Sequence, residues 1–245
     1  MAKTLAIAEL LERFRNSTAG ELATQFDAQE LRDIHESLAA IEHDRLDMLC
    51  SQQVASFAAG PLYWATTVTM TENPKHLQQG LPFKSHFPKK SYFIPLFEAF
   101  NKSKRLFIPK TREMLTSWCC CVYATHQAQW HKAEVIVQTA NEEKAKRLVE
   151  YCNILYRNQP DWLRQRHSLK ADAALAMDWA DGGKIFGIPS GEEKARMFHP
   201  TIMIFDEAAF LPGMEACYNA VNPVAGQIIA ISSAGPGWFG DQCSL

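Results

Sequence analysis

The run Thr201-Ile202-Met203-Ile204-Phe205-Asp206-Glu207-Ala208 constrains the fold more than any other part of this chain. Four large apolar residues in succession leave no polar face, so the segment reads as a strand buried on both sides, as at the centre of a parallel sheet. Such a sheet is covered by helices on both faces, which makes the chain α/β. Two adjacent carboxylates end the run. Parallel α/β sheets bind ligands just beyond the carboxyl ends of their strands. In that place Asp206 has the chemistry to hold Mg²⁺ through its water shell, and Glu207 to orient and polarise an attacking water. A plainer reading stands beside it, since a buried strand followed by an acidic helix cap is common in α/β proteins.

Composition narrows the class. With 245 residues and 47% hydrophobic content, the chain can bury a sizeable core and lies far from the disordered regime. Its formal net charge of −2 gives no global attraction to nucleic acid, although a local basic face is compatible with it. The basic runs Lys84–Lys90 and Lys102–Lys110 each read as solvated surface. Seven cysteines form no C-x-x-C pair, and with eight histidines they give no zinc spacing, so free thiols in a reducing compartment are expected. Cys119, Cys120 and Cys121 are expected to pack inside a helix as small apolar residues. The N-terminus lacks the apolar block of a signal peptide, and polar residues, Gly and Pro interrupt the uncharged stretches Met48–Thr71 and Ala216–Gly240.

Residues 1–58 read as a small helical appendage. Leu5, Ala8, Leu11 and Phe14 share one helical face, and Leu31, Ile34, Leu38 and Ile41 another, with breaks at Ser17–Gly20 and Asp27. Residues 59–245 read as the main domain. Its first part, about 60–103, is rich in Pro and aromatics and is expected to be irregular. An adenine ring could stack there, with ordinary packing the stronger expectation for each ring. Strands and helices then alternate. Strands are expected at Arg105–Pro109, Glu134–Ala140, Thr201–Phe205 and Gln227–Ser232, and helices at Met114–Trp130, Asn141–Arg157 and Met214–Ala220. Ala173–Trp179 and Lys184–Pro189 form a hairpin about Asp181-Gly182-Gly183.

A phosphate-cradling loop joins a first strand to a helix and normally reads G-x-x-x-x-G-K-[ST]. Here the place is held by Pro109-Lys110-Thr111-Arg112-Glu113-Met114-Leu115-Thr116-Ser117-Trp118, and no glycine occurs between Gly80 and Gly182. Leu115 and Thr116 stand where Gly-Lys is usual. The physical requirements are nonetheless available: a helix N-terminus that favours an anion, positive charge from Lys110 and Arg112, and the Ser117 hydroxyl at the Mg²⁺ position. Solvated charges before an unrelated helix are the alternative.

Lys110–Trp118, then Ile202–Phe210, then Ile231-Ser232-Ser233-Ala234-Gly235, in that order, resemble the ATPase domain of the large terminase subunit of tailed bacteriophages. The resemblance spans about residues 80–240. It implies a P-loop NTPase fold: a mainly parallel sheet with helices on both faces, plus the N-terminal helical appendage. It also implies an ATPase, with ATP and Mg²⁺ as ligands. Lys110, Thr111, Arg112, Glu113, Met114, Leu115, Thr116 and Ser117 would form the nucleotide loop, with Lys110 neutralising phosphate charge. Ser117 and Asp206 would organise Mg²⁺, and Glu207 would orient the water. Arg112 or Arg196 would stabilise developing charge, the latter by reaching a neighbouring subunit. Ser232, Ser233, Ala234 and Gly235 would couple hydrolysis to movement. Implied partners are double-stranded DNA, a portal protein, a small terminase subunit and further copies in a ring, in the cytoplasm of an infected bacterial host. The family's C-terminal nuclease domain has no counterpart in this sequence, and its upstream glutamine motif for adenine has no clear place here. Two other functions fit the same residues: a helicase or translocase motor domain, and a non-catalytic interaction module with a degenerate loop.

Overall fold

The computed structural model describes residues 13, 28–235 and 237–244. Leu5, Ala8, Leu11, Phe14, the break at Ser17–Gly20 and Asp27 lie outside the described residues. The chain divides into two compact units, residues 1–55 and 56–245. Helix α1 (Ala28–Ala59) makes up most of what is described of the first unit. On it Ile34 is buried and Leu38 is exposed, so only part of the expected apolar face is covered.

The second unit is built on a seven-stranded sheet. Its strands are β3 (Arg105–Lys110), β4 (Glu134–Thr139), β5 (Leu169–Ala173), β6 (Ala176–Trp179), β7 (Lys184–Pro189), β8 (Ile202–Asp206) and β9 (Gln227–Ser233). The order is β3-β9-β8-β4-β7-β6-β5. Every pair from β3 to β7 is parallel, and β6 and β5 add an antiparallel edge. The chain passes from β3 to β4 and later returns to insert β8 and β9 between them. Strand β8 is buried at all five positions, as its unbroken apolar run requires.

Alternation along the strands separates two cores. Val135, Val137, Ile202, Ile204, Ile229 and Ile231 face one layer. That layer holds α5 (Thr116–His131) and α6 (Glu142–Arg157). Ile136, Met203, Phe205, Ile228 and Ala230 face the other. It holds α8 (Glu192–Arg196), α9 (Met214–Val221) and α10 (Trp238–Cys243). Between α6 and β5 lies α7 (Asp161–Arg166). The expected α/β architecture, with helices on both faces of a mainly parallel sheet, is the one observed.

Several local expectations need correction. The stretch 60–103 is not irregular. It contains α2 (Pro61–Val68), β1 (Met70–Glu72), α3 (Pro74–Gln78), β2 (Lys84–His86) and α4 (Phe93–Lys102). Pro61 and Pro74 open helices, where a missing N–H costs nothing, and Pro95 lies in the first turn of α4. Phe93, Phe97 and Phe100 then repeat at helical spacing and are buried. With Trp64 and Phe87 also buried, these rings form core and offer no face to a ligand. Residue 173 closes β5, a strand not anticipated, and the hairpin strand begins at Ala176. Helix α5 starts at Thr116 instead of Met114, because Glu113 and Leu115 take left-handed φ of 65° and 53°. Cys119, Cys120 and Cys121 are buried in α5 as expected, and burial pushes the Cys119 and Cys120 thiols up, keeping them protonated and inert.

Candidate functional site

At the carboxyl edge of the sheet, β3 and β8 end on either side of β9. Strand β3 delivers Lys110, which lies beside Ser233 of β9 in parallel register. The chain then makes an exposed turn and enters α5 at Thr116. Two residues give that turn its shape. The second glycine of an ordinary phosphate loop falls at position 115, and Leu115 adopts the left-handed conformation a glycine would supply. Glu113 does the same two residues earlier. A left-handed non-glycine residue costs about 1–2 kcal/mol, so the surroundings must hold the turn. Leu115 packs against the main core, and the Tyr92 hydroxyl donates to the Met114 carbonyl at 3.3 Å.

Strand β8 brings the acidic pair to the same place. The Ser117 hydroxyl donates to Asp206 Oδ1 at 3.1 Å, and the Glu207 backbone N–H donates to the same oxygen, also at 3.1 Å. Asp206 is only 8% exposed. Burial pushes its carboxyl above the usual range, and the Glu207 carboxylate adds to this. The Ser117 hydroxyl and the Lys110 ammonium pull it partly back. Glu207 itself sits at φ 57°, a third left-handed residue, and a 3₁₀ turn (Ala208–Phe210) follows. Of the four non-glycine residues with positive φ among the described residues, three line this cleft, whereas Lys132 caps α5 elsewhere. Strain of this kind gathers where a backbone is held for function.

Lys110, Glu113, Ser117, Asp206 and Glu207 thus border one open cleft of about 280 Å³. Met114, Leu115 and Thr116 line it as well. Thr111 and Arg112 stay on the exposed turn outside it. Arg196 is not brought to the cleft of its own chain; it lies on α8, on the other face of the sheet, and pairs with Glu192. Ser232 is fully buried at the end of β9, and its hydroxyl oxygen accepts the backbone N–H of Ala209 at 3.1 Å. The end of β9 is thereby tied to the turn just after Glu207. Gly235 extends this contact: a Cβ there would come within 3.1 Å of the Ala209 Cβ and 3.3 Å of the Phe210 ring. Ser233 is half-buried at the strand end and Ala234 is exposed.

Sequence reasoning missed four residues that complete the cleft. Asn141 caps α6 by accepting the Lys144 backbone N–H at 2.9 Å. The Lys144 ammonium meets Glu207 Oε2 at 2.5 Å. A lysine at this position opposes the helix dipole and stands where a capping box has Glu or Gln, a signal visible in the sequence. Arg147 lies one turn further along α6. Trp118 and Tyr151 stack across the α5–α6 groove with ring centroids 4.1 Å apart and planes 15° apart. Their pairing joins distant segments and carries no local signal.

The donor set suits Mg²⁺. That ion is held by one or two protein oxygens together with phosphate and water, and Ser117 and Asp206 supply a hydroxyl and a carboxylate already in contact. A buried carboxylate that resists ionisation gains most from a nearby divalent charge. Among the described residues no three His, Cys, Asp or Glu side chains gather into an all-protein metal cage. No helix among them is long and apolar enough to cross a membrane.

Comparison of folds aligns part of this chain with solved structures. The HK97 bacteriophage large terminase aligns with a TM-score of 0.47 over 61% of this chain and 34% of that one, at 8% identity. The large terminase ATPase domain of Thermus phage P74-26 aligns with a TM-score of 0.48 over 63% of this chain and 68% of that one, at 15% identity. Both are phage large terminases. This chain covers about a third of the HK97 protein's length. No family model and no curated protein matches it. With TM-scores below 0.5, these likenesses add no weight to the chemistry, which rests on the contacts described above.

Proposed function

We propose that this chain is the ATP-hydrolysing motor domain of a phage large terminase, driving double-stranded DNA into a preformed capsid. One observation carries the reading. The hydroxyl at the start of α5 and the carboxylate at the end of β8 are in hydrogen-bond contact, with Lys110 and Glu207 on the same cleft. A loop cation, a hydroxyl–carboxylate metal pair and a neighbouring carboxylate are the parts that phosphoryl transfer to water requires.

In this mechanism Lys110 and the N-terminal amides of α5 receive the β- and γ-phosphates. Ser117 and Asp206 would hold Mg²⁺, which would supply positive charge against the phosphate oxygens. Glu207 accepts a hydrogen bond from the attacking water and orients it in line with the γ-phosphorus. Before it can do so, Lys144 must let go of it, and an incoming triphosphate offers that ammonium a stronger anion. Ser232 transmits displacement of the 3₁₀ turn to β9. Arg196, exposed on α8, acts on the γ-phosphate of a neighbouring copy in a ring, and Arg112 stays on the surface of the loop. Contacts to DNA are phosphate-directed, because a packaging motor accepts every sequence. The portal protein and small terminase subunit are the partners of this assembly, in the cytoplasm of the infected bacterial host.

Mg-ATP titration and a steady-state hydrolysis assay on wild type and Glu207→Gln test the reading. The variant is expected to bind Mg-ATP and to lose turnover on the order of a thousandfold. A wild-type chain that binds no Mg-ATP at millimolar concentration overturns it and leaves the non-catalytic module.

A further inference from the structure

The cleft does not end at Lys110, Ser117 and Asp206. Beyond Ser117 and Lys144 it runs into the groove between α5 and α6, where Trp118, Arg147, Leu148 and Tyr151 line it. Lys144 and Tyr151 are seven residues apart, so they lie two turns apart on one face of α6, roughly 10 Å along its axis. Trp118 follows Ser117 directly. An elongated ligand lying along this groove, with its charged end on Lys110, Ser117 and Lys144, would have its far end beside the two rings. Both rings are half-buried, and their shared stack leaves aromatic surface bordering the cleft. The Arg147 guanidinium is exposed one turn before Tyr151, able to lie over a planar ring. Trp64, Phe87, Phe93, Phe97 and Phe100 of the stretch 60–103, by contrast, are spent in the core, and no ring of that stretch lines this cleft.

We infer that Trp118, Tyr151 and Arg147 form the nucleobase end of this cleft, which would take the planar base of a nucleoside triphosphate by stacking. The inference rests on the nucleotide reading above. Stacking on an aromatic face needs no base-edge hydrogen bonds, and removing one platform side chain weakens binding of a base by roughly tenfold or more.

The test compares two ligands that share a phosphate tail and differ in the base: Mg-ATP and Mg-tripolyphosphate, titrated calorimetrically into the full chain. Wild type is expected to bind Mg-ATP at least about tenfold more tightly. Tyr151→Ala should weaken Mg-ATP by a similar factor and leave Mg-tripolyphosphate unchanged, with Tyr151→Phe retaining both. Arg147→Ala, an exposed change that leaves the core intact, should show the same selective loss if Tyr151→Ala fails to fold. Equal loss for both ligands, or no loss for Mg-ATP, overturns the base subsite and leaves the stack as packing between two helices. Equal wild-type affinity for the two ligands also overturns it while the phosphate site stands. Binding of neither ligand by wild type overturns the nucleotide reading itself.

Discussion

Asp206 is a carboxylate placed where it is uncomfortable. Burial raises its pKa, so the metal-free protein loses stability as pH rises through the ordinary carboxylate range, where the unfolded chain ionises more readily than the folded one. Asp206→Asn is therefore expected to raise metal-free stability at neutral pH, measured by urea unfolding, and to abolish any stabilisation by Mg-ATP. A metal-free chain destabilised by the substitution would contradict this balance. Glu113 offers a second residue-level test. It is exposed and left-handed, so Glu113→Gly removes strain and little packing. After the extra chain entropy of glycine, a gain of about 0.5 kcal/mol in unfolding free energy is expected. At this scale the sequence was legible where chemistry sits on consecutive letters. Asp206 and Glu207 end a conspicuous strand, and Ser117 stands at a fixed offset from Lys110. Trp118 and Tyr151 could not be read, because only packing of α5 on α6 brings them together. Lys144 could have been read from its misfit at a helix start.

Among elements, the sheet order decides the site. β9 separates the strand carrying Lys110 from the strand carrying Asp206, and α5 and α6 roof the face onto which Asp206 points. Close approach of α6 to the sheet depends on Gly187 in β7, where a Cβ would fall 2.8 Å from Val149 Cγ2 and 3.0 Å from the Ala145 carbonyl oxygen. Gly187→Val is expected to lose about 2–3 kcal/mol by forcing the helix outward, read as a lower urea midpoint. It should also weaken Mg-ATP binding, because Lys144 and Arg147 ride on the same helix. Local pattern revealed the long elements: β8 by its apolar run, and the helix expected at Asn141–Arg157, whose first residue proves to be the cap of α6. It failed for α4, because Pro95 reads as a helix breaker unless it is known to sit in the first turn, which masks the spacing of Phe93, Phe97 and Phe100. It also failed for β5, a short edge strand with mostly exposed side chains and so no apolar signature.

For the molecule as a whole, one source of acid sensitivity is a buried histidine. His126 is fully buried against Trp64, and its Nε2 lies 2.8 Å from the Phe57 carbonyl oxygen. Burial lowers its pKa to about 4, with His131 adding to the effect and the Phe57 carbonyl opposing it. The folded state keeps this ring neutral while the unfolded chain protonates it near pH 6.5, so its contribution is intact above that pH. It is lost as pH falls from about 6.5 towards 4, and on the order of 3 kcal/mol disappears across that window. His126→Gln should flatten the stability–pH curve between these limits, whereas an unchanged slope would place the acid sensitivity elsewhere.

The turn before α5 keeps the torsion of a glycine under the name of leucine. Its form is stored in what presses on it: the core beneath Leu115 and the tyrosine that grips the carbonyl of Met114. Spelling is then free to drift while the cradle persists, and kindred sites will be found by their backbone angles long after their letters have stopped agreeing.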